Sequence, residues 1–235
     1  MTAVAPVVTV HVWGVPARAV PRAVSRIALD RRPLRNHPGL TFAKLLGTGS
    51  GTTFAVTDAD LTHWAVLAVW DSQQAAASFE RSRVVRRWDA MSDERLRLVL
   101  DPYASKGLWS GREPFGRPQR TAGHGPVAAL TRARLRPRLA PQFWRSVRPV
   151  SEELRASPGL LLSLGIGEAP VGLQGTFSLW RSEEDLTRFA YQRPEHQTVV
   201  RRTRELGWYS EELFARFDVV AASGGYQGQP VASQA

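Results

Sequence analysis

The 235-residue sequence contains no cysteine. This absence excludes disulfides, thiolate-ligated iron, iron–sulfur clusters, cysteine zinc sites and cysteine nucleophiles. The side chains that remain for a metal site are five histidines, the carboxylates and the tyrosines. Any metal site in this protein must therefore form without thiolate ligands.

Long apolar runs are also absent from the sequence. No stretch approaches the roughly eighteen apolar residues of a membrane span, and the opening MTAVAPVVTVHVWG has no basic segment ahead of an apolar block. A hydrophobic content of 43% indicates a globular protein with a real core. We expect a cytoplasmic location, and a peripheral contact with a membrane surface is a further expectation.

Lysine is scarce, with only Lys44 and Lys106, so the net charge of +10 comes from arginine. The arginines are spread over the whole sequence, and pairs such as Arg86-Arg87 lie on predicted helices, which is typical of solvated helix faces. No nucleic-acid recognition motif accompanies them. We therefore predict no nucleic-acid partner, although the same charges favour an anionic lipid surface.

Hydrophobic periodicity in the first half predicts the order β-α-β-β-α-β, which is that of a ferredoxin-like unit. In the first helix, the spacing predicts that Val20, Val24, Ile27 and Ala28 face inward. The predicted elements are a strand over 7–13, a helix over 16–29, strands over 40–46 and 63–70, a helix over 72–88 and a strand over 96–103.

The same pattern begins again after a proline- and glycine-rich stretch at 115–125, which we interpret as a linker. We predict two duplicated units, 1–114 and 126–230, followed by a disordered tail at 231–235. The landmarks that match in order are Pro38-Gly39 with Pro158-Gly159, Gly47 and Gly49 with Gly165 and Gly167, Trp70 with Trp180, Phe79 with Phe189, VVRR at 84–87 with VVRR at 199–202, and GLWSG at 107–111 with GGYQG at 224–228.

Duplication has a physical consequence for the fold. A four-stranded antiparallel sheet with helices on one side leaves its other face apolar, and that face needs a partner. Two tandem copies can bury each other's apolar sheet faces by packing face to face. The predicted fold class is therefore α+β, with tandem ferredoxin-like units forming a pseudo-symmetric dimeric α+β barrel.

One histidine of the second half has no counterpart at the corresponding place in the first half. After a helix that starts near Ser182, Pro194 interrupts the helical pattern, and His196 shares an apolar face with Val199 and Val200. The landmark spacing shows five extra residues here relative to the first half. His196 is either a buried core histidine bonded to a carbonyl or a neutral ligand to a metal or haem iron. The insertion favours function, and both interpretations stay open.

Other candidates carry weaker signals. The glycine-rich GTGSG at 47–51 lacks the lysine of a phosphate loop, so we predict a hairpin turn there. Arg132 and Arg134 lie on the same face of the second unit's first strand, and Gln174 opens its third strand. Surface positions are the ordinary interpretation of such arginines, whereas an inward one would be placed to polarise bound oxygen or to hold a haem propionate.

Several longer blocks resemble the spheroidene monooxygenase family over roughly residues 7–230. The blocks are HWAVLAVW (63–70), GLWSGREPF (107–115), PVAALTRA (126–133), GIGEAP (165–170), QGTFSLW (174–180) and GWYSEELFARF (207–217). The resemblance implies a haem-containing oxygenase of the dimeric α+β barrel group, which acts on acyclic carotenoids with O₂ and electrons from a ferredoxin-type donor.

The resemblance also implies a site. His196 would ligate the iron of haem b, Arg132 or Gln174 would be the distal catalytic group, and Arg134 would bind the cofactor. We therefore expect a haem-dependent monooxygenase acting on an apolar substrate, with a homo-oligomer as a further expectation. The alternatives are a haem-dependent dehydratase or peroxidase-like enzyme, and a haem-free ligand-binding barrel.

Overall fold

A closed antiparallel β-barrel organises the fold. The computed structural model of the chain describes residues 6–49, 58–118, 120–136, 138, 154–168, 175–192 and 209–231. The strands in these ranges are β1 (Val7–Gly14), β2 (Leu40–Gly49), β3 (Ala59–Trp70), β4 (Glu94–Gly107), β5 (Val127–Leu135), β6 (Leu160–Gly167), β7 (Gly175–Trp180), β8 (Tyr209–Tyr226) and β9 (Gln229–Pro230).

Each half forms a four-stranded antiparallel sheet, in the order β4-β1-β3-β2 for the first half and β6-β7-β5-β8 for the second. The sheets join at both edges, because β2 pairs with β6 and β4 pairs with β8. The β4–β8 seam runs from Leu96 opposite Gly224 to Gly107 opposite Leu213. The predicted α+β fold of two ferredoxin-like units closing into one barrel is confirmed.

Strand alternation fills the interior of the barrel with apolar side chains from both halves. Val8, Val10 and Val12 of β1 point inward, as do Ala128 and Leu130 at the matching places of β5. The interior is thus a shared core, and neither sheet has an apolar inner face left exposed.

Helices cover the outer face of the first sheet and part of the second. Those of the first half are α1 (Val20–Leu29), α2 (Arg31–Arg35), α3 (Gln73–Glu80) and α4 (Arg83–Asp89), and α5 (Glu183–Gln192) belongs to the second. The single helix predicted over 72–88 is two helices. Ser72 caps α3 by accepting a hydrogen bond from the Ala75 amide, and Ser82 caps α4 through the Val85 amide. The second capping serine is the reason for the break.

Helix α1 presents a different stripe from the one predicted. Ala23 and Ile27 are buried, whereas Val24 and Ala28 are exposed. A 3-10 turn at Ala17–Ala19 precedes the helix, and the small side chain of Ala23 lets the helix approach the sheet closely. The prediction that Val24 and Ala28 face inward was therefore wrong.

The ends of the β4–β8 seam carry two matching hairpins. Ser110-Gly111 and Gln227-Gly228 all have positive φ, which defines type I′ turns. Glu211 accepts the amides of Ser110 and Gly111 at 3.0 and 2.8 Å. Glu94 accepts those of Gln227 and Gly228 at 2.9 and 2.7 Å. Each half therefore binds the hairpin of the other through one glutamate, as the GLWSG and GGYQG match suggested.

The segment predicted as a linker, 115–125, contains no helix or strand in its described residues. Phe115 is nevertheless buried in the barrel core, edge-on to Phe217 with ring centroids 4.9 Å apart. The domain boundaries stay a prediction. Among the residues that the structure describes, no helix has both the length and the apolar character needed to cross a membrane.

Alanine substitution at the seam tests the closure. At Gly224 (φ 88°) a Cβ would meet the Arg95 carbonyl oxygen at 2.0 Å, whereas at Gly228 (φ 72°) nothing lies within 4 Å. Both positions pay for a left-handed backbone, about 1–2 kcal/mol, but only Gly224 also clashes with backbone of the other half. We expect Gly224→Ala to lower the free energy of unfolding by about 3 kcal/mol or more, measured by urea denaturation. Equal losses in Gly224→Ala and Gly228→Ala would contradict the close approach.

Candidate active site

A buried arginine closes one end of the barrel interior. Arg132 is 1% exposed, and its guanidinium binds Glu168 at 2.8 Å and also binds Glu211. It lies over the ring of Trp109, 5.6 Å from the centroid. We call this group, completed by Lys44, the arginine end.

The positive and negative charges of the arginine end balance, because it contains two cations and two carboxylates. Lys44 donates to Glu168 at 2.6 Å, and the Trp109 indole donates to the same carboxylate at 2.7 Å. Burial opposes ionisation of Glu168, but these hydrogen bonds and the charges of Lys44 and Arg132 outweigh it and lower its pKa. The pKa of Glu211 is lowered too, because the hairpin amides and Arg132 outweigh its burial. Both carboxylates are thus ionised and hold the guanidinium in place.

The opposite end of the β4–β8 seam carries a related group, the histidine end. His63 binds Asp60 through Nδ1 at 2.6 Å and Glu94 through Nε2 at 3.0 Å. Its ring packs against Tyr226, with centroids 5.1 Å apart. Gly14 lies between the strands of His63 and Glu94, where a Cβ would come within 3.0 Å of His63 Nε2. The missing side chain allows the two partners to meet.

The ionisable groups of the histidine end affect one another's pKa values. Burial disfavours charge on His63, but the hydrogen bonds and charges of Asp60 and Glu94 outweigh it and raise its pKa. Burial likewise opposes ionisation of Asp60, yet hydrogen bonds from His63 and Thr62 lower its pKa to about 2. Burial and the two nearby carboxylates raise the pKa of Tyr226. This end therefore holds a cationic imidazole between two anions below neutral pH.

The two ends are pseudo-symmetric but chemically different. Val7 and Val127 face Trp70 and Trp180, so Val12 of the first half corresponds to Arg132 of the second. The sequence reasoning missed Glu168, Glu211, Lys44 and Trp109 as partners of Arg132. Glu211 had a usable signal, because it precedes its hairpin by the same distance as Glu94 does.

The outer faces of the two sheets differ in side-chain size. In the first half this face carries Trp13, Leu45 and Val66, which pack under the helices. The register places smaller or more polar residues at the matching positions of the second half: Ala133, Gly165 and Thr176. Gly165 therefore corresponds to Leu45, and the predicted match of Gly47 with Gly165 was wrong. Near the other end the halves agree, since Trp180 stacks on Phe189 much as Trp70 lies against Phe79. We call the outer surface formed by Ala133, Gly165 and Thr176 the small-residue face.

The small-residue face is covered in the folded chain, since Ala133 is 7% exposed and Gly165 is buried. Its side chains are smaller than the tryptophan and leucine of the first half, which is a feature that a planar cofactor packed against this sheet would require. The described residues contain no group of three or more histidines and carboxylates arranged to hold a metal ion. A single axial ligand, as haem iron takes, requires no such group.

The predicted site residues fall in different places. Arg132 points into the barrel at the arginine end, on the opposite face of β5 from the small-residue face, and Arg134 is exposed on the same strand. His196 and Gln174 lie outside the described residues. Of the described histidines, His11 and His63 are next to carboxylates, His37 bonds to Ser78, and His124 is exposed in the segment before β5. The part played by the four predicted site residues stays a prediction.

Sequence comparison relates the chain to characterised proteins. It is 36% identical to spheroidene monooxygenase of Rhodobacter capsulatus over 92% of this chain and 91% of that protein. It is 33% identical to spheroidene monooxygenase of Cereibacter sphaeroides over 84% of this chain and 61% of that protein. The chain belongs to the spheroidene monooxygenase family. The recognition made from its motifs is confirmed, and the protein is a monooxygenase.

A third relative, spheroidene monooxygenase of Rubrivivax gelatinosus, is 32% identical over 87% of this chain and 78% of that protein. No protein-family model matches the chain. Among solved structures, the family member is similar in fold to aldoxime dehydratase, with a TM-score of 0.62 and 12% identity over 93% of this chain and 83% of that one. At this identity the likeness shows a shared fold alone.

The histidine end predicts how stability of this spheroidene monooxygenase homologue varies with pH. The pKa of His63 is raised on folding, so its contribution is complete below about pH 6.5 and is lost as pH rises through the folded value. The lowered pKa of Asp60 sets the lower limit of the pH range in which the histidine end stabilises the fold. The contribution of Asp60 to the free energy of unfolding fades as pH falls from about 3.9 towards 2. We expect His63→Gln to cost most near pH 5 and least near pH 9, measured by urea denaturation.

His37 is the matched control, because burial lowers its pKa, although a backbone contact with Ala75 opposes the shift. Its folded state prefers the neutral ring, so the contribution of His37 is present at high pH and declines as pH falls through about 6.5. His37→Gln should therefore show the opposite trend. Parallel pH profiles for the two variants would contradict the assigned ion pairs.

The two arginines of β5 provide a second test of this family member. Arg132→Met leaves Glu168 and Glu211 without their shared cation, and breaking such a buried group costs about 3 kcal/mol. Arg134→Met removes an exposed side chain and should cost no more than about 0.5 kcal/mol. The free energy of unfolding from urea titration measures both. A loss for Arg132→Met as small as that for Arg134→Met would argue against a tightly paired arginine.

Proposed function

We propose that this protein is a haem-dependent monooxygenase that inserts one oxygen atom into an acyclic carotenoid. Its membership of the spheroidene monooxygenase family supports the reaction class, and the names of its relatives support spheroidene or a similar polyene as substrate. The structural observation that supports the cofactor proposal is that Ala133 and Gly165 stand in the second half where Trp13 and Leu45 stand in the first.

His196 is the proposed iron ligand of haem b. The four described histidines belong to the first half or to the exposed segment before β5, and three of them have polar partners. His196 is the remaining histidine of the sequence and follows α5 in the second half. The neutral imidazole of His196 would hold the iron through one ring nitrogen, and the bound haem would supply oxygen chemistry.

When bound, haem supplies the binding and reductive activation of O₂. One oxygen atom enters a C–H bond of the substrate, and the other leaves as water with two electrons and two protons. We propose a ferredoxin-type protein as the source of the electrons. The task of the chain is to exclude water, hold the apolar substrate and place polar groups beside the reacting atoms.

The remaining predicted residues take distinct parts in this proposal. Gln174 is the proposed distal catalytic group, and Arg134, exposed at the end of β5, is the proposed partner of a haem propionate. Arg132 lies on the same face of β5 as Arg134, two residues before it, so we propose that it positions the strand end that carries Arg134. Its two carboxylate partners fix it for that role.

The first experiment measures the absorption spectrum of protein expressed with a haem precursor. We expect a Soret band in the parent, its loss or shift in His196→Ala, and no change in His124→Ala, the matched exposed histidine. Ala133→Trp restores the residue of the first half and should prevent haem loading while circular dichroism stays unchanged. A Soret band that is the same in His196→Ala as in the parent would contradict the ligand assignment.

Turnover tests the substrate separately. The haem-loaded protein, with ferredoxin and its reductase, should convert spheroidene to products that contain added oxygen, detected by mass spectrometry. A cyclic carotenoid serves as the control substrate. Full haem loading without any oxygenated product would reject the carotenoid assignment and leave the cofactor assignment standing.

A further inference from the structure

Arginine is concentrated in the helical layer of the first half. Residues 16–36 carry six arginines and one aspartate, and residues 72–90 carry four arginines and two acidic residues. These two segments have net charges of +5 and +2, which is seven of the ten net positive charges of the chain. They contain α1 and α2 in the first case and α3 and α4 in the second.

The two segments meet in space at one buried aspartate. Asp30, fully buried between α1 and α2, lies 3.4 Å from Arg26 and 3.5 Å from Arg87 of α4. The arginines of α1, α2 and α4 therefore belong to one continuous surface. We call this surface the arginine face.

Most cations of this face have no anionic partner. Elsewhere the described arginines are commonly paired, as Arg120 is with Asp101 and Asp218, and Arg216 with Glu183. On the arginine face, eight exposed arginines have no carboxylate partner among the residues that the structure describes. They are Arg18, Arg22, Arg31, Arg32, Arg35, Arg81, Arg83 and Arg86.

Exposed apolar side chains lie among these cations. Val24 is 38% exposed and Leu29 is 57% exposed, both on α1. The helix of the second half has the opposite character, because α5 carries Glu183, Glu184 and Asp185 against a single arginine. Among the described helices, those of the first half are thus strongly basic and partly apolar, whereas α5 begins with three acidic residues.

We propose that the arginine face docks on an anionic membrane surface. Cations near a negatively charged leaflet gain roughly 1 kcal/mol each, which is about fivefold in binding per arginine. Apolar side chains on a basic helix insert at the boundary between headgroups and acyl chains. A nucleic-acid backbone would match the charge but offers no environment for Val24 and Leu29, so a lipid surface fits both features.

This inference rests on the charge distribution and not on the proposed cofactor or substrate. Its test needs no haem, oxygen or carotenoid, so its failure and the failure of the proposed function are separate results. The membrane proposal and the proposed function are related in one respect. An enzyme on a lipid surface would meet an apolar substrate where such a substrate dissolves.

The first experiment measures co-sedimentation with vesicles of phosphatidylcholine alone and of phosphatidylcholine with 30% phosphatidylglycerol. We compare the parent with two quadruple arginine-to-glutamine variants of equal net charge, each shown by circular dichroism to be folded. The face variant changes Arg18, Arg22, Arg31 and Arg32, and the control variant changes Arg95, Arg112, Arg117 and Arg136, which are exposed elsewhere.

We expect the parent and the control variant to bind the anionic vesicles, and the face variant, which lacks four arginines, to bind about 600-fold more weakly. Binding should also fall in 0.5 M salt, because the Debye length shrinks. Equal weakening in the two variants would mean that net charge alone acts, and would overturn the proposal. Absence of vesicle binding, or tight binding of duplex DNA that only the face variant loses, would overturn it as well.

The absence of cysteine provides a second readout. Leu29→Cys and Val220→Cys each create one labelling site, and the two native side chains are equally exposed, at 57%. An environment-sensitive dye at position 29 should shift to the blue on anionic vesicles, whereas the dye at position 220 on β8 should not. A shift at position 220 alone would place the contact on another face and reject the arginine face.

Discussion

The pairing of β4 with β8 is the constraint on which the rest of the structure depends. Without it the two sheets would be joined only through β2 and β6, and the edges of β4 and β8 that now pair would be open. The seam runs close enough that Gly107 and Gly224 meet backbone carbonyls of the opposite half, where a Cβ has no room. Glu94 and Glu211 then fix both ends by binding the amides of the opposite hairpin. Closure therefore combines sheet pairing, a shared core and two charge-assisted anchors.

The two duplicated halves share the same backbone fold but differ in side-chain chemistry. At one end of the interior a histidine lies between two carboxylates, and at the other an arginine does so. The ionisation of the first end depends on pH, whereas a guanidinium stays charged throughout. Outside the barrel the first half fills the layer beneath its helices with tryptophan, and the second half carries smaller residues there. Such local departures from symmetry mark where the halves have separate tasks.

The charge distribution follows the same division of labour. The basic helices lie over the first sheet, which has the densely filled outer layer, and the acidic start of α5 lies over the second. The proposed membrane surface and the proposed cofactor therefore belong to different halves. The proposed membrane surface can then change without disturbing the proposed cofactor site, because the shared barrel lies between them.

The sequence by itself determined the element order, the duplication and the family, since these depend on local periodicity and on landmarks that recur at a fixed spacing. It also placed Arg132 and Arg134 on one face of a strand. It could not tell that Arg132 would be buried and Arg134 exposed, because that depends on where the barrel ends. The α1 stripe was misassigned for the same reason: four apolar positions competed, and the contact with the sheet selected Ala23 and Ile27.

Only the tertiary structure brought Glu168, Glu211, Lys44 and Trp109 to Arg132, since these residues belong to four different strands or to the turns that follow them. It also brought the arginine-rich segment 16–36 next to the arginine-rich segment 72–90, which is distant in the chain. Ion pairs and surface charge are properties of distance in space, and chain order encodes that distance only through the fold.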